Sequence, residues 1–232
     1  MKRFYISFLL MFLLVIPLNV EAESKLTLEC DNNNVAGETL SCIVKSSSDI
    51  AYNKLESNIE LPNSASVTFK ATSGSTGTIS NNKLIATSTS NIPNGNLGTL
   101  QIKFSSDTTG NNVIKLSNIK IFNNQEEVDI TSDVSATVKV KSTVNTLSSL
   151  TLEDCGSCSL SPAFKENLTI YIVNTESNKI TFNAKANGNA KIVGAGTKTL
   201  TKDSETFRII VTSEVGESRE YSITVKRNIK KS

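Results

Sequence analysis

A chain of 232 residues with 24 basic and 22 acidic side chains carries a formal net charge of +2, which gives no electrostatic reason to expect nucleic acid or an anionic membrane as its partner. It has no histidine, so no histidine-based triad or acid/base pair can be assembled from it. Four cysteines are left as the residues with distinctive chemistry.

In chain order, the first stretch is "MKRFYISFLLMFLLVIPLNVEA". Lys2 and Arg3 precede an apolar run from Phe8 to Leu18, Pro17 breaks it near its end, and the small residue Ala22 follows. This succession predicts a secretory signal peptide over residues 1–22, cleaved between Ala22 and Glu23. The run falls short of the roughly 20 apolar residues that a membrane span needs, and an uncleaved anchor is the alternative. No small-residue lipobox surrounds Cys30, so a lipoprotein is disfavoured. Removing Lys2, Arg3 and Glu21 with the leader leaves 22 basic and 21 acidic side chains. The mature chain is expected to be exported to the cell surface or the medium, with no membrane span.

Beyond the leader, strand-like segments recur between Asn, Gly, Ser and Asp clusters, and no stretch sustains an apolar period of 3.6. "KLTLEC" puts Leu26, Leu28 and Cys30 on one face, and "ETLSCIVK" alternates Leu40, Cys42 and Val44 with Thr39, Ser41 and Ile43. "VTFK", "NKLIATS", "GTLQIKFS" and "NVIKLSNIKIF" follow, bringing the first half to about nine strands. Phe69 and Phe104 are read as core. "DTTGNN", residues 107–112, reads as a hairpin connection, because Gly and Asn tolerate positive φ. The polar stretch "KSTVNTLSS" marks a boundary, giving a first domain at 23–141, a linker at 142–146, a second domain at 147–228 and a basic tail at 229–232.

The second half offers about seven strands. "KITFNAKA" places Ile180, Phe182 and Ala184 on one side, and "REYSITVKR" does the same for Tyr221, Ile223 and Val225. Period-two alternation of this kind fits half-buried antiparallel sheets and disfavours a parallel α/β fold. The expected class is all-β, two consecutive antiparallel β-sandwiches after the leader. Ser161-Pro162 is an extended turn before Phe164 enters the core; Gly194, Gly196 and Gly216 serve tight turns; Tyr171 and Tyr221 are core or corner aromatics whose hydroxyls reach backbone.

"LTLEDCGSCSLSPAF" carries a C-x-x-C at Cys155 and Cys158. A structural zinc site needs four grouped ligands, which one C-x-x-C and two distant cysteines do not supply. A thioredoxin-type centre needs a helix amino terminus beside its first cysteine, whereas "SLSPAF" follows here. The preferred reading is a disulfide pinning the turn, with Cys30 and Cys42 paired from matched inward positions on adjacent strands. Cross-pairing between the halves is the less economical alternative. Glu126, Glu127 and Asp129 read as a solvated charge run on a loop. Asp203, Glu205 and Glu217 form no calcium loop, and Asn167-Leu168-Thr169 fits a glycosylation acceptor. No cofactor or metal is expected.

The succession "LSSLTL", "LSPAFKENLTIYIV", "ITFNAKANGNAKIVGAGTKTL" and "FRIIVTSEVGESREYSITVKR", over residues 146–227, resembles the bacterial cadherin-like β-sandwich domain. Residues 24–140, through "VAGETLSCIVK", "NNKLIATST", "GNLGTLQIKF" and "NVIKLSNIKIFN", are similar to sandwiches of the cohesin and carbohydrate-binding-module type. The first resemblance implies an Ig-like architectural domain. The second implies either a partner module bound on a sheet face or polysaccharide bound on a strip of aromatics, for which the first half offers only Tyr52, Phe69, Phe104 and Phe122. Together these imply a secreted, non-catalytic interaction or architectural module whose first domain binds another exported protein or a cell-wall component, with the second as spacer. The alternatives are an extracellular thiol-disulfide oxidoreductase using Cys155 and Cys158, and a carbohydrate-binding module acting through the first domain.

Overall fold

The structure, a computed structural model, describes residues 25–47, 52–62, 65–92, 95–130 and 132–228. The leader, its cleavage position at Ala22 and Glu23, and the tail 229–232 lie outside the described residues. Nineteen strands and no helix occur among them. The first eleven are β1 (Lys25–Cys30), β2 (Asn34–Val35), β3 (Thr39–Ser47), β4 (Lys54–Glu60), β5 (Ser66–Ala71), β6 (Ser75–Ser80), β7 (Lys83–Ser88), β8 (Gly95–Lys103), β9 (Gly110–Asn123), β10 (Glu126–Ile130) and β11 (Val134–Lys141). The remainder are β12 (Leu147–Glu153), β13 (Leu160–Ser161), β14 (Ile170–Thr175), β15 (Lys179–Ala186), β16 (Lys191–Val193), β17 (Gly196–Thr199), β18 (Ser204–Thr212) and β19 (Ser218–Arg227).

In the first half, a sheet of order β1-β3-β8-β5 packs against one of order β2-β11-β9-β4-β7-β6, with β10 added on β9. In the second, β12-β15-β17 packs against β13-β14-β19-β18-β16. The alternation seen in sequence is what builds the cores. Leu40, Cys42 and Val44 of β3 face Leu100 and Ile102 of β8 in one cluster with Leu55, Ile114, Leu116 and Val140. Ile180 and Phe182 of β15 join Tyr171, Ile209, Tyr221, Ile223 and Val225 in a second, separate cluster. Residues 142–146 carry no strand, and the two clusters lie on either side of them.

Most ladders are antiparallel, but β14 pairs with β19 in parallel and β2 pairs with β11 in parallel. Two sequence expectations need correction. Residues 107–112 do not close a hairpin, because β8 and β9 belong to opposite sheets and the stretch carries the chain across the sandwich; Gly110, with φ of 78°, begins β9. Glu126 and Glu127 lie not on a loop but in β10, which folds back on β9 through a turn at Asn124 and Gln125, both at positive φ.

Aromatic residues fix the irregular segments. Phe104 is buried, while Phe69 is half-buried and fills the space left by Gly77 and Gly98, where a Cβ would meet its ring within 3 Å. Ser161-Pro162 is a cis peptide, and Phe164 beyond it packs against the second core. The Tyr171 hydroxyl donates to Lys165 O at 2.9 Å and accepts from the Lys165 N–H. The Tyr221 hydroxyl donates to Glu166 O at 2.8 Å and accepts from the Leu147 N–H at 3.0 Å. Leu147 is fully buried, so Tyr221→Phe strands its amide without water. This variant is expected to lose about 1–3 kcal/mol, the cost of an unmet buried donor. A urea titration checks it; a midpoint equal to wild type would mean that the Leu147 amide finds another partner.

Candidate interaction surface

On the five-stranded sheet of the second half, the residues opposite the core face solvent. Strand register arranges them in rows. Ile170 lies beside Ser222 and Arg208; Ile172 lies beside Thr224 and Thr206; Glu220 lies beside Ile210 and Val193. Ile170 and Val193 are each 66% exposed, Ile172 39% and Ile210 37%. Four of the six large exposed hydrophobics among the described residues thus share one sheet face. Single exposed aliphatics are unremarkable, but a group on one flat face marks an interaction site. Around them the face is polar: Thr206 and Thr224 share a 3.0 Å hydroxyl contact, and Arg208 pairs with Glu220 at 3.3 Å. Lys226, next to Asn174 and Ser204, stands at one end.

Sequence reasoning followed the inward faces of the strands and missed this patch. The signal was present. Ile170-Tyr171-Ile172-Val173 and Ile209-Ile210-Val211 are unbroken apolar runs, so strand alternation must turn one member of each adjacent pair outward. Such runs suit the parallel β14–β19 pairing, because parallel ladders are ordinarily covered on both faces.

The cysteines form two disulfides, Cys30 to Cys42 and Cys155 to Cys158. The first links facing residues of β1 and β3. Around the second, Cys155 is buried, Cys158 is half-buried, and Cys155 O accepts from the Thr175 hydroxyl at 2.9 Å. The Ser177 hydroxyl donates to Asp154 O. The segment after Cys158 continues as β13 and then Pro162, so no helix dipole reaches Cys155 to stabilise a thiolate. Asp154 sits at φ 57°, and its carboxyl is held below the ordinary value by a hydrogen bond from the Thr181 hydroxyl and by Lys179.

Among the described residues no cluster of Cys, Asp and Glu is arranged to hold a metal. Glu127 pairs with Lys120 at 2.9 Å and Asp203 with Arg227 at 2.8 Å, Glu205 accepts from the Thr201 N–H, and the Asp129 side chain lies outside the described residues. The candidate aromatics of the first half do not form an exposed strip: Tyr52 and Phe104 are buried, while Phe69 and Phe122 are half-buried, with Lys54 over the Phe122 ring at 4.8 Å. Burial raises the Tyr52 phenol above its ordinary range, against a smaller opposing effect of its hydrogen bond to Ser46.

Glu56 accepts from both Lys54 and Lys83, each at 2.5 Å, and these bonds hold its carboxyl below the ordinary 4.5. A carboxyl depressed in the folded state adds stability above its unfolded pKa and loses it as pH falls through the folded value. The first sandwich is therefore expected to keep a constant urea midpoint from pH 7 to 5 and to weaken below about pH 4.5. Glu56→Gln should shallow that acid slope, and an unchanged slope would remove Glu56 from its origin.

No family model matches the chain, and no curated protein matches it. Solved structures do resemble it. A cohesin module from a Clostridium perfringens family 33 glycoside hydrolase is 11% identical with a TM-score of 0.45, covering 51% of this chain and 97% of its own. A non-cellulosomal cohesin from Archaeoglobus fulgidus is 12% identical with a TM-score of 0.41, covering 51% and 91%. Protocadherin Gamma B7 extracellular cadherin domains are 7% identical with a TM-score of 0.32, covering 89% and 51%.

Proposed function

We propose that this chain is an exported, non-catalytic interaction module of two β-sandwiches, 23–141 and 147–228, and that its second sandwich docks a partner protein on the outer sheet face. The observation that carries the reading is the grouping of Ile170, Ile172, Val193 and Ile210 on one uncovered face. Export is supported by the leader-like residues 1–22 and by two disulfides, which persist in oxidising compartments. The partner's chemistry follows from the face: apolar groups to meet the Ile170–Ile172 pair and the Ile210–Val193 pair, hydroxyl or amide groups to meet Thr206, Ser222 and Thr224, and carboxylates to meet the basic side chains. Arg208, Lys226 and Lys191 stand against the single carboxylate Glu220 on this face, which favours an acidic partner. This assignment moves the binding role expected of the first domain to the second.

The test is capture of exported proteins and wall extracts on the immobilised chain, with the captured species identified. Ile170→Asp/Ile172→Asp is expected to abolish capture, whereas Val113→Asp, at an exposed position of the first sandwich, should not. Light scattering runs alongside. Retained capture by the double variant overturns the assignment, as would a wild-type dimer that the double variant dissociates, since the occupant of the face would then be a second copy.

A further inference from the structure

Where the two sandwiches meet, a groove of about 400 Å³ is walled by Lys139, Lys141, Asn189, Lys191, Thr212 and Glu214. Lys139 and Lys141 are two residues apart on β11 and so project to the same side, while Lys191 comes from β16 of the other sandwich, in register with Thr212 of β18. Three lysines and one glutamate therefore line the groove. That carboxylate is already engaged: Glu214 Oε2 accepts from the Ser142 N–H at 2.9 Å, its Oε1 is 3.7 Å from Lys139 Nζ, and its side chain is only 14% exposed. Lys141 donates to Asn33 Oδ1, a neutral acceptor, and Lys191 has no side-chain partner among the described residues. Elsewhere on the first sandwich Lys45, Lys54, Lys83, Lys115 and Lys120 meet carboxylates, while Lys25, Lys70 and Lys103 stand singly on separate strands; the groove is where such lysines gather.

Unneutralised like charges gathered well within a Debye length repel one another unless an anion joins them. The groove also offers the Asn189 amide and the Thr212 hydroxyl, polar groups that suit a ligand bearing hydroxyls as well as charge. Its volume lies inside the range of about 300–1,000 Å³ typical of ligand sites. We infer that this groove between the sandwiches binds a hydroxylated anion of sugar size, either a sugar carboxylate or a polyol phosphate. The groove borders the aliphatic face, since Lys191 and Thr212 lie two residues from Val193 and Ile210 on the same strand faces, and it uses charge where that face uses apolar area.

The experiment is an amide-resolved NMR titration of the chain with trigalacturonate, with glycerol phosphate and with neutral maltotriose, in 20 mM and 150 mM NaCl. Saturable shifts confined to Lys139, Lys141, Asn189, Lys191 and Thr212 are expected with one or both anions and not with maltotriose, and affinity should weaken at the higher salt. Lys141→Gln/Lys191→Gln is expected to weaken binding at least tenfold without moving the melting temperature, since neither side chain meets a carboxylate. Which anion saturates tells a sugar acid from a polyol phosphate. Absence of saturable shifts with both anions overturns the inference, as does equal binding of maltotriose or undiminished binding by the double variant.

Discussion

Gly194→Ala is expected to destabilise the second sandwich by about 2–5 kcal/mol, a large fraction of its stability. Gly194 joins β16 to β17 where the chain leaves one sheet for the other, with φ of 93°. A Cβ built there would lie 2.1 Å from the Arg208 carbonyl oxygen and 3.4 Å from Ile209 Cα, both backbone atoms of β18. An L-residue in the left-handed region costs about 1–2 kcal/mol, and forcing strands apart adds about 1–3 kcal/mol, against a total stability of about 5–15 kcal/mol for an ordinary domain. Gly196→Ala is the internal control. Its φ of 88° imposes the same conformational strain, but open space surrounds its Cβ, so about 1–2 kcal/mol is expected. Because the two cores are separate clusters, the first sandwich should keep its own transition in the Gly194→Ala melt. Equal losses at 194 and 196 would show that β18 yields to the added methyl.

The second large effect is expected from removing the β1–β3 crosslink. Cys30 and Cys42 are twelve residues apart, and the chain-entropy model assigns such a loop about 3 kcal/mol. Cys42 is fully buried, so Cys30→Ala/Cys42→Ala also loses packed sulfur. Cys155→Ala/Cys158→Ala, across a separation of three, is expected to lose about 2 kcal/mol on the same model. Denaturation with and without reductant separates the contributions: reductant should destabilise wild type but leave the first sandwich of the Cys30→Ala/Cys42→Ala variant unchanged. A variant as stable as oxidised wild type would mean that β1 is held by its ladder alone.

The inward faces of β3, β15 and β19 were legible in the sequence because each alternates strictly, with Leu40, Cys42 and Val44 or Tyr221, Ile223 and Val225 on one side. Period two reports which residues share a face, but not which strands share a sheet. That is why residues 107–112, rich in turn formers, looked like a hairpin and turned out to cross between sheets. The parallel pairing of β14 with β19 joins residues about fifty apart in sequence, beyond the reach of any local pattern. The aliphatic face was hidden for a related reason. Reading Tyr171 as a core or corner aromatic was correct, but its neighbours Ile170 and Ile172 count as a surface patch only once β18 and β16 bring Ile210 and Val193 onto the same sheet. The groove at the junction was equally illegible, since Lys139, Lys141 and Lys191 come from different sandwiches.

The place of β19 in its sheet governs when the second sandwich can form during synthesis. It lies between β14 and β18, which make no ladder with each other, so until residues 218–227 are available the larger sheet is two unconnected pieces. The first sandwich needs nothing beyond β11. A growing chain therefore completes its amino-terminal half while the other half is still being made, and holds "IYIV" exposed for the roughly fifty residues that separate it from its partner strand. At elongation rates of about 5–20 residues per second that exposure lasts several seconds, long enough for chaperone capture or aggregation to compete with folding.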